Sequence, residues 1–277
     1  MRLFSGAAMF AVFLAQAAAA DPPGRVLSMN LCTDQLAMLV AAPGQLISVS
    51  YLAQDPGSSP MAEAAMAYAT NYGRAEDIVV LQPDLVLAGR YTTLATVALL
   101  ERLGIPVVRF EPENSLDDVT RALRRMGDLL GRRPEAEARI ARFEADRARI
   151  ALRAAALPRE RAATYAANGY TGGKAGLSAQ ILDLAGLDNI AGELGLPSGG
   201  RIALESLILA APDHLVLGRR HPGWSEAQAL LDHPALRGLP SYARGTPMAD
   251  RDWVCGTPHV LAAVGALLDA REAEATR

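Results

Sequence analysis

The sequence predicts an α/β protein of two lobes, each with a mainly parallel sheet flanked by helices, bridged by a single long interlobe helix. Three features of the 277-residue chain point there. Short apolar runs alternate with helical patterns along most of its length, the signature of parallel sheets. A motif recurs 129 positions further on. Between the two copies lies a long helical stretch rich in Ala, Glu and Arg. The boundaries that follow are 1–20 for a leader, 21–131 for an N-terminal lobe, 132–157 for the bridging helix and 158–277 for a C-terminal lobe.

The leader comes first. Arg2 supplies a positive start, Leu3 to Leu14 is apolar, and Ala17 to Ala20 offer a small-residue cleavage site before Asp21. This is the layout of a secretory signal peptide cleaved near Ala20, with an apolar stretch short for a membrane span. A lipoprotein would carry its Cys directly after that stretch, whereas the first cysteine is Cys32. A free secreted protein is therefore expected. About 257 residues remain, enough for two lobes.

In the first half, Arg25–Ser28 reads as a strand, Thr33–Val40 as a helix and Leu46–Val49 as a strand. Thr92–Leu103 reads as a helix ended by Gly104, and Ile105–Phe110 as a strand. Between these lies the first copy of the repeat. Glu76 is followed by Pro83, Asp84, Gly89 and Arg90; Glu205 is followed at the same spacings by Pro212, Asp213, Gly218 and Arg219. Each Glu opens a short helix, where a carboxylate favours the exposed N–H groups. Each Pro is expected to stop it. The apolar run after Pro-Asp reads as a buried parallel strand. Gly-Arg then falls at the carboxyl end, where open α/β sheets place their ligand loops.

Leu116–Leu130 is helical and stops at Gly131. Pro134 opens a second helix running to about Ala156, with Ile140, Phe143 and Ile150 on one stripe and Glu135 placed to pair with Arg139. At 1.5 Å per residue it would be roughly 35 Å long, the width of a small domain. In the second half, Arg161–Ala166 reads as a strand, Ser178–Leu184 as a helix and Pro258–Ala270 as the last helix.

Composition narrows the function. A formal charge of −3 and one lysine, Lys174, give no footprint for nucleic acid. The stretch Gly169 to Ala175 is one residue short of a phosphate loop, and Ala175 stands where a hydroxyl would hold magnesium. His214, His221, His233 and His259 all lie in the second half, so a bare ion held by imidazoles from both lobes is not expected. No metal-ligand set and no resident cofactor is predicted. Cys32 and Cys255 leave two readings open: a disulfide, the default for a secreted protein, or thiolates binding a soft metal. A secreted enzyme using Cys255 with His259 is the alternative of another class.

With its repeat, long central helix and leader, the sequence resembles the periplasmic binding proteins for cobalamin and ferric siderophores, from about Arg25 to Ala270. The resemblance implies a solute-binding component of an ABC importer, not an enzyme. Such a protein is a periplasmic monomer that captures a bulky metal chelate between its lobes and delivers it to a permease dimer in the inner membrane. It implies that Glu76 and Glu205 dock onto arginines of the two permease subunits. It also places ligand contacts on loops at the strand ends, at Tyr51, Arg90, Tyr91, Tyr170, Arg219, Trp224 and Trp253, with Asn168 to Gly176 and Arg220 nearby. Aromatics suit a flat or greasy chelate, and arginines suit carboxylates. In a haem-binding version of the same fold, Tyr51 or Tyr91 would serve as the iron ligand. In the resembling layout both cysteines sit in loops just before helices, facing the cleft. A stiff bridging helix implies modest closure.

Overall fold

The computed structural model describes residues 21–219 and 225–276. The predicted leader, as well as Arg220, His221 and Trp224, lies outside them. Five strands form the first sheet: β1 (Val26–Ser28), β2 (Leu46–Ser50), β3 (Ala69–Asn71), β4 (Leu85–Gly89) and β5 (Val107–Phe110), all parallel, in the order β3-β2-β1-β4-β5. The second half adds β6 (Glu160–Tyr165), β7 (Tyr170–Thr171), β8 (Leu187–Asn189), β9 (Gly200–Arg201), β10 (His214–Leu217) and β11 (Thr246–Pro247). Of these, β11-β10-β6-β8 make a four-stranded parallel sheet, while β7 and β9 pair antiparallel as a small separate ribbon. The fold is α/β with parallel sheets flanked by helices, as the alternation of patterns predicts.

The repeat is an architectural unit. In each copy a short helix, Ala75–Val80 or Leu204–Ala210, leads through Pro-Asp into a central strand, β4 or β10, that pairs with the first strand of its half. The structure shows what the aspartates do. Asp84 Oδ2 accepts from the backbone N–H groups of Gly24 and Arg25 at 3.0 and 2.9 Å, and Asp213 Oδ2 accepts from that of Arg161 at 3.0 Å. In return Arg25 donates to the Leu81 and Gln82 carbonyls at 2.6 and 3.1 Å, and Arg161 to the Ala210 carbonyl at 2.9 Å. Each clamp ties the start of one strand to the start of its neighbour.

One expectation needs correcting here. The prolines do not themselves end the helices. The turn is made by the preceding residue, Gln82 (φ 46°) or Ala211 (φ 43°), in the left-handed region that non-glycine residues rarely enter. A left-handed residue just past the last turn is a common way for a helix to stop. The carbonyls that the left-handed turn leaves exposed are those the arginines collect.

The bridging helix spans Arg133–Ala155, 23 residues, with a proline in its first turn. Its stripe of Ala136, Ile140, Phe143, Ile150 and Ala154 is buried. Those side chains belong to one hydrophobic cluster holding Val26, Leu36 and Leu87 of the first half together with Ala162, Leu182 and Leu268 of the second. Glu135 and Arg139 pair at 3.0 Å, and Arg153 forks to Asp269 and Glu272 of the last helix, Val260–Ala275, at 2.7 and 2.8 Å. Each half also has a cluster of its own on the outer face of its sheet, around Leu27, Val86 and Leu100 or around Leu207, Leu215 and Leu231. Alternate residues of one strand thus serve different clusters, as a period of two requires.

Candidate functional site: the crevice between the sheets

The carboxyl ends of β1, β4 and β5 open on a cavity of about 220 Å³, lined by Asn30, Thr33, Gly89 to Tyr91 and Phe110 to Glu113 from the first half. Val254 and Gly256 close it from the second half. Asn30 is held in place because its Oδ1 caps the helix Leu31–Val40, accepting from Cys32 N and Thr33 N at 3.1 and 3.4 Å. Glu113 lies against Gly256 and accepts from its backbone N–H, and burial pushes its carboxyl up to about 7. At neutral pH this wall therefore carries a partly protonated acid able to donate a hydrogen bond.

Cys32 and Cys255 are joined by a disulfide at the edge of this cavity, with Cα atoms 5.1 Å apart. Both thiols are consumed, so thiolate ligation and the Cys255–His259 enzyme both lack their reactive group. Cys32 is not in a loop: it is the second residue of its helix, tethered there by the Asn30 cap. Beside the disulfide, Thr257 Oγ1 meets Gln35 Oε1 at 3.0 Å in a buried contact between the halves. Among the described residues, no group of three His, Cys, Asp or Glu side chains is arranged to hold a metal ion.

The aromatic residues fall into two groups. Tyr51 begins the turn after β2, and Tyr72 directly follows β3; their rings stack with centroids 5.4 Å apart, both largely exposed. Arg74 lies over the Tyr72 ring at 5.8 Å. Tyr91, after β4, is 85% exposed. The ends of neighbouring β2 and β3, and of β4 on the other side of β1, thus carry a tyrosine rim. Beneath it, buried Asp34 accepts from both the N–H and the hydroxyl of Ser50, the residue before Tyr51. Burial drives the Asp34 carboxyl up to about 7 against those hydrogen bonds.

Trp253 differs from this rim. It ends a short helix, Asp250–Trp253, and packs half-buried against the shared core, so it supports the crevice wall more than it presents a free face. Tyr170 is exposed, but on β7 rather than in a loop. The glycines around it serve close packing: a Cβ on Gly173 would lie 2.3 Å from the Gly199 backbone nitrogen.

Both predicted arginines are already engaged. Arg90 pairs with Glu111 at 2.7 Å. Arg219, at the end of β10, reaches across to the first half and donates to the Gly57 carbonyl at 2.8 Å. A Cβ at residue 57 would sit 2.4 Å from the guanidinium, so any larger residue there would make the Arg219 side chain shift. Tyr72, Gly57 and Glu113 are the crevice residues that the sequence did not reveal. For Tyr72 there was a signal, since Tyr-Gly-Arg follows a short polar strand, but Ala69–Asn71 is too short and too polar to read as one.

The model of the periplasmic binding proteins matches residues 26–246. The chain belongs to that family. Within it, a curated cobalamin-binding protein of Halobacterium salinarum is 26% identical over 235 residues, covering 82% of this chain and 63% of that protein. The chain thus spans under two thirds of the length of that relative. Among solved structures, a periplasmic heme binding protein of Pseudomonas aeruginosa superposes with a TM-score of 0.72 at 21% identity, covering 90% of this chain and 92% of the other. The periplasmic vitamin B12 binding protein of Vibrio cholerae gives 0.68 at 17% identity, with 92% and 99% covered. At these identities the structures establish the two-lobed periplasmic binding protein fold.

Proposed function

We propose that this periplasmic binding protein works in the periplasm, without catalysis, as the capture component of an ABC importer for a bulky metal chelate. The chelate is held over the tyrosine rim and handed to a permease dimer. The observation that carries this is convergence: the ends of β1, β4 and β5, with Tyr91, open on a cavity closed by Val254 and Gly256 of the second half, and Arg219 past the end of β10 reaches Gly57 of the first. Ligand pockets run to roughly 300–1,000 Å³, so the 220 Å³ cavity takes one edge of a chelate and the rim covers its face.

The chemistry favours a neutral, amide-rich chelate of the corrinoid class over a polyanionic one. Arg90 and Arg219 are committed to Glu111 and Gly57. What remains is Asn30, the tyrosines and the Glu113 carboxyl, groups suited to amides and to a flat apolar ring. The name of the halobacterial relative points the same way. The boundaries 21–131, 132–157 and 158–277 are proposed as lobe, bridge and lobe.

Native mass spectrometry with an absorbance scan on protein from its own periplasm tests this reading, with a corrinoid mass and visible bands as the expected result. A bound haem or ferric siderophore would move the ligand class, and a preparation that binds none of the three would overturn the proposal. In a cyanocobalamin titration, Tyr72→Ala should weaken binding by up to about tenfold, since an aromatic contact is worth roughly 0.5–1.5 kcal/mol beyond its buried area.

A further inference from the structure

Among the described residues twelve large apolar side chains are markedly exposed, and exposed apolar residues scattered singly are ordinary in any protein. Two of these are not scattered. Val80 and Leu209 stand 129 positions apart, the same spacing as the repeat, and are 81% and 86% exposed. Each lies four residues after the exposed glutamate of its own copy, Glu76 or Glu205, so carboxylate and apolar side chain share one helix face, one turn apart. The preceding residues, Val79 and Ile208, are apolar and partly exposed as well. The contrast within each helix is sharp, because Ile78 and Leu207, one helical position earlier, are fully buried. The outward residues are therefore not needed to hold the helices down.

We infer that Val80 and Leu209 are paired apolar anchors that seat in recesses of the membrane partner, each beside the cation that takes the neighbouring glutamate. This inference rests on the importer reading and deepens it. The occupant follows from the geometry. Two like patches on two similar half-molecules require a partner offering two like surfaces, each a basic group next to an apolar recess, as a dimer of identical membrane subunits does. A carboxylate alone at an exposed contact contributes little and is screened by salt. An apolar side chain that is desolvated on docking supplies the affinity, while the charge sets register and encounter rate. The two roles explain why the pair occurs together and occurs twice.

The test is in the source cells, with the full chain. A photoreactive phenylalanine analogue is placed at Val80, at Leu209, or at Leu152, which is 75% exposed on the bridging helix and has no such pairing. Irradiation should join positions 80 and 209 to the same polytopic membrane subunit, identified by mass spectrometry, and leave position 152 without that adduct. In parallel, uptake of radiolabelled cyanocobalamin is compared for Val80→Ser with Leu209→Ser and for Glu76→Lys with Glu205→Lys. Both double variants should keep their melting temperature and their affinity for cyanocobalamin. The serine pair should lower uptake by about tenfold or more. If the lysine pair abolishes uptake while the serine pair transports normally, the anchor inference is wrong and the importer reading stands. If neither pair changes uptake and no membrane subunit is captured at either position, the importer reading itself fails. Equal labelling at 152 also overturns the anchors.

Discussion

Where their central strands begin, the two halves of the chain are closed in the same way: Arg25 and Asp84 in one, Arg161 and Asp213 in the other, each pair folded around a left-handed residue before proline. Where the same strands end, the halves diverge. The first offers Tyr51, Tyr72 and Tyr91. The second offers Arg219 and a glycine-packed ribbon. Strand starts face away from the crevice and have only the fold to serve, so the duplicated solution persists there. In the proposed function the strand ends are the part that would meet a ligand, so each half is free to supply a different part of one asymmetric site.

The largest effect expected from breaking this pairing comes from the covalent tie. Replacing Cys32 and Cys255 by serine opens a loop closed over a sequence separation of 223. On the chain-entropy account this should cost about 5 kcal/mol. Urea unfolding should still show one transition, because the bridging helix buries Phe143 and Ile150 in a core drawn from both halves. Two separated transitions would show that the halves are independent and the shared core incidental.

The next effect is confined to the first half. Asp34 is fully buried, and its carboxyl is raised from 3.8 to about 7. Between those values the native state holds more protons than the unfolded chain, so stability falls as pH rises from about 4 to about 7 and levels off above. The effect amounts to on the order of a few kcal/mol. Glu113 adds in the same window, from 4.5 to about 7. Asp34→Asn should flatten much of the pH dependence of Tm across that range and leave the remainder to Glu113. A Tm profile identical to that of the unaltered protein would refute the assignment.

The smallest effect compares the two clamps directly. Asp84 accepts two backbone N–H groups and Asp213 one, both near the surface. Asp84→Ala should cost about 2 kcal/mol and Asp213→Ala about 1 kcal/mol, read from urea midpoints at constant slope. A larger loss at Asp213 would mean that the clamps, alike in geometry, carry unequal loads.

Much of this was legible in the chain itself. The strands at Leu85 and His214 stood out because burial on both faces makes a parallel strand a continuous apolar run. Ile140, Phe143 and Ile150 announced the bridging helix by spacing alone. The Tyr51–Tyr72 stack was hidden, since it joins residues from two strands whose pairing depends on a three-residue strand with almost no apolar content. The reach of Arg219 to Gly57 was hidden for a different reason: it spans 162 positions and leaves no local pattern in either segment.

By itself, then, the sequence determined the class of fold, the duplicated helix–strand unit and the helix between the copies. Each of these is written in periodicity, in turn residues or in repetition along the chain, and such signals act over a few residues at a time. The tertiary structure alone decided that Cys32 and Cys255 meet, that Arg90 and Arg219 are already occupied, that Trp253 supports a wall, and that Tyr72 joins the rim. Those outcomes depend on which distant segments the packing of two sheets around one buried helix brings within a few ångströms. No local preference of the chain encodes that distance.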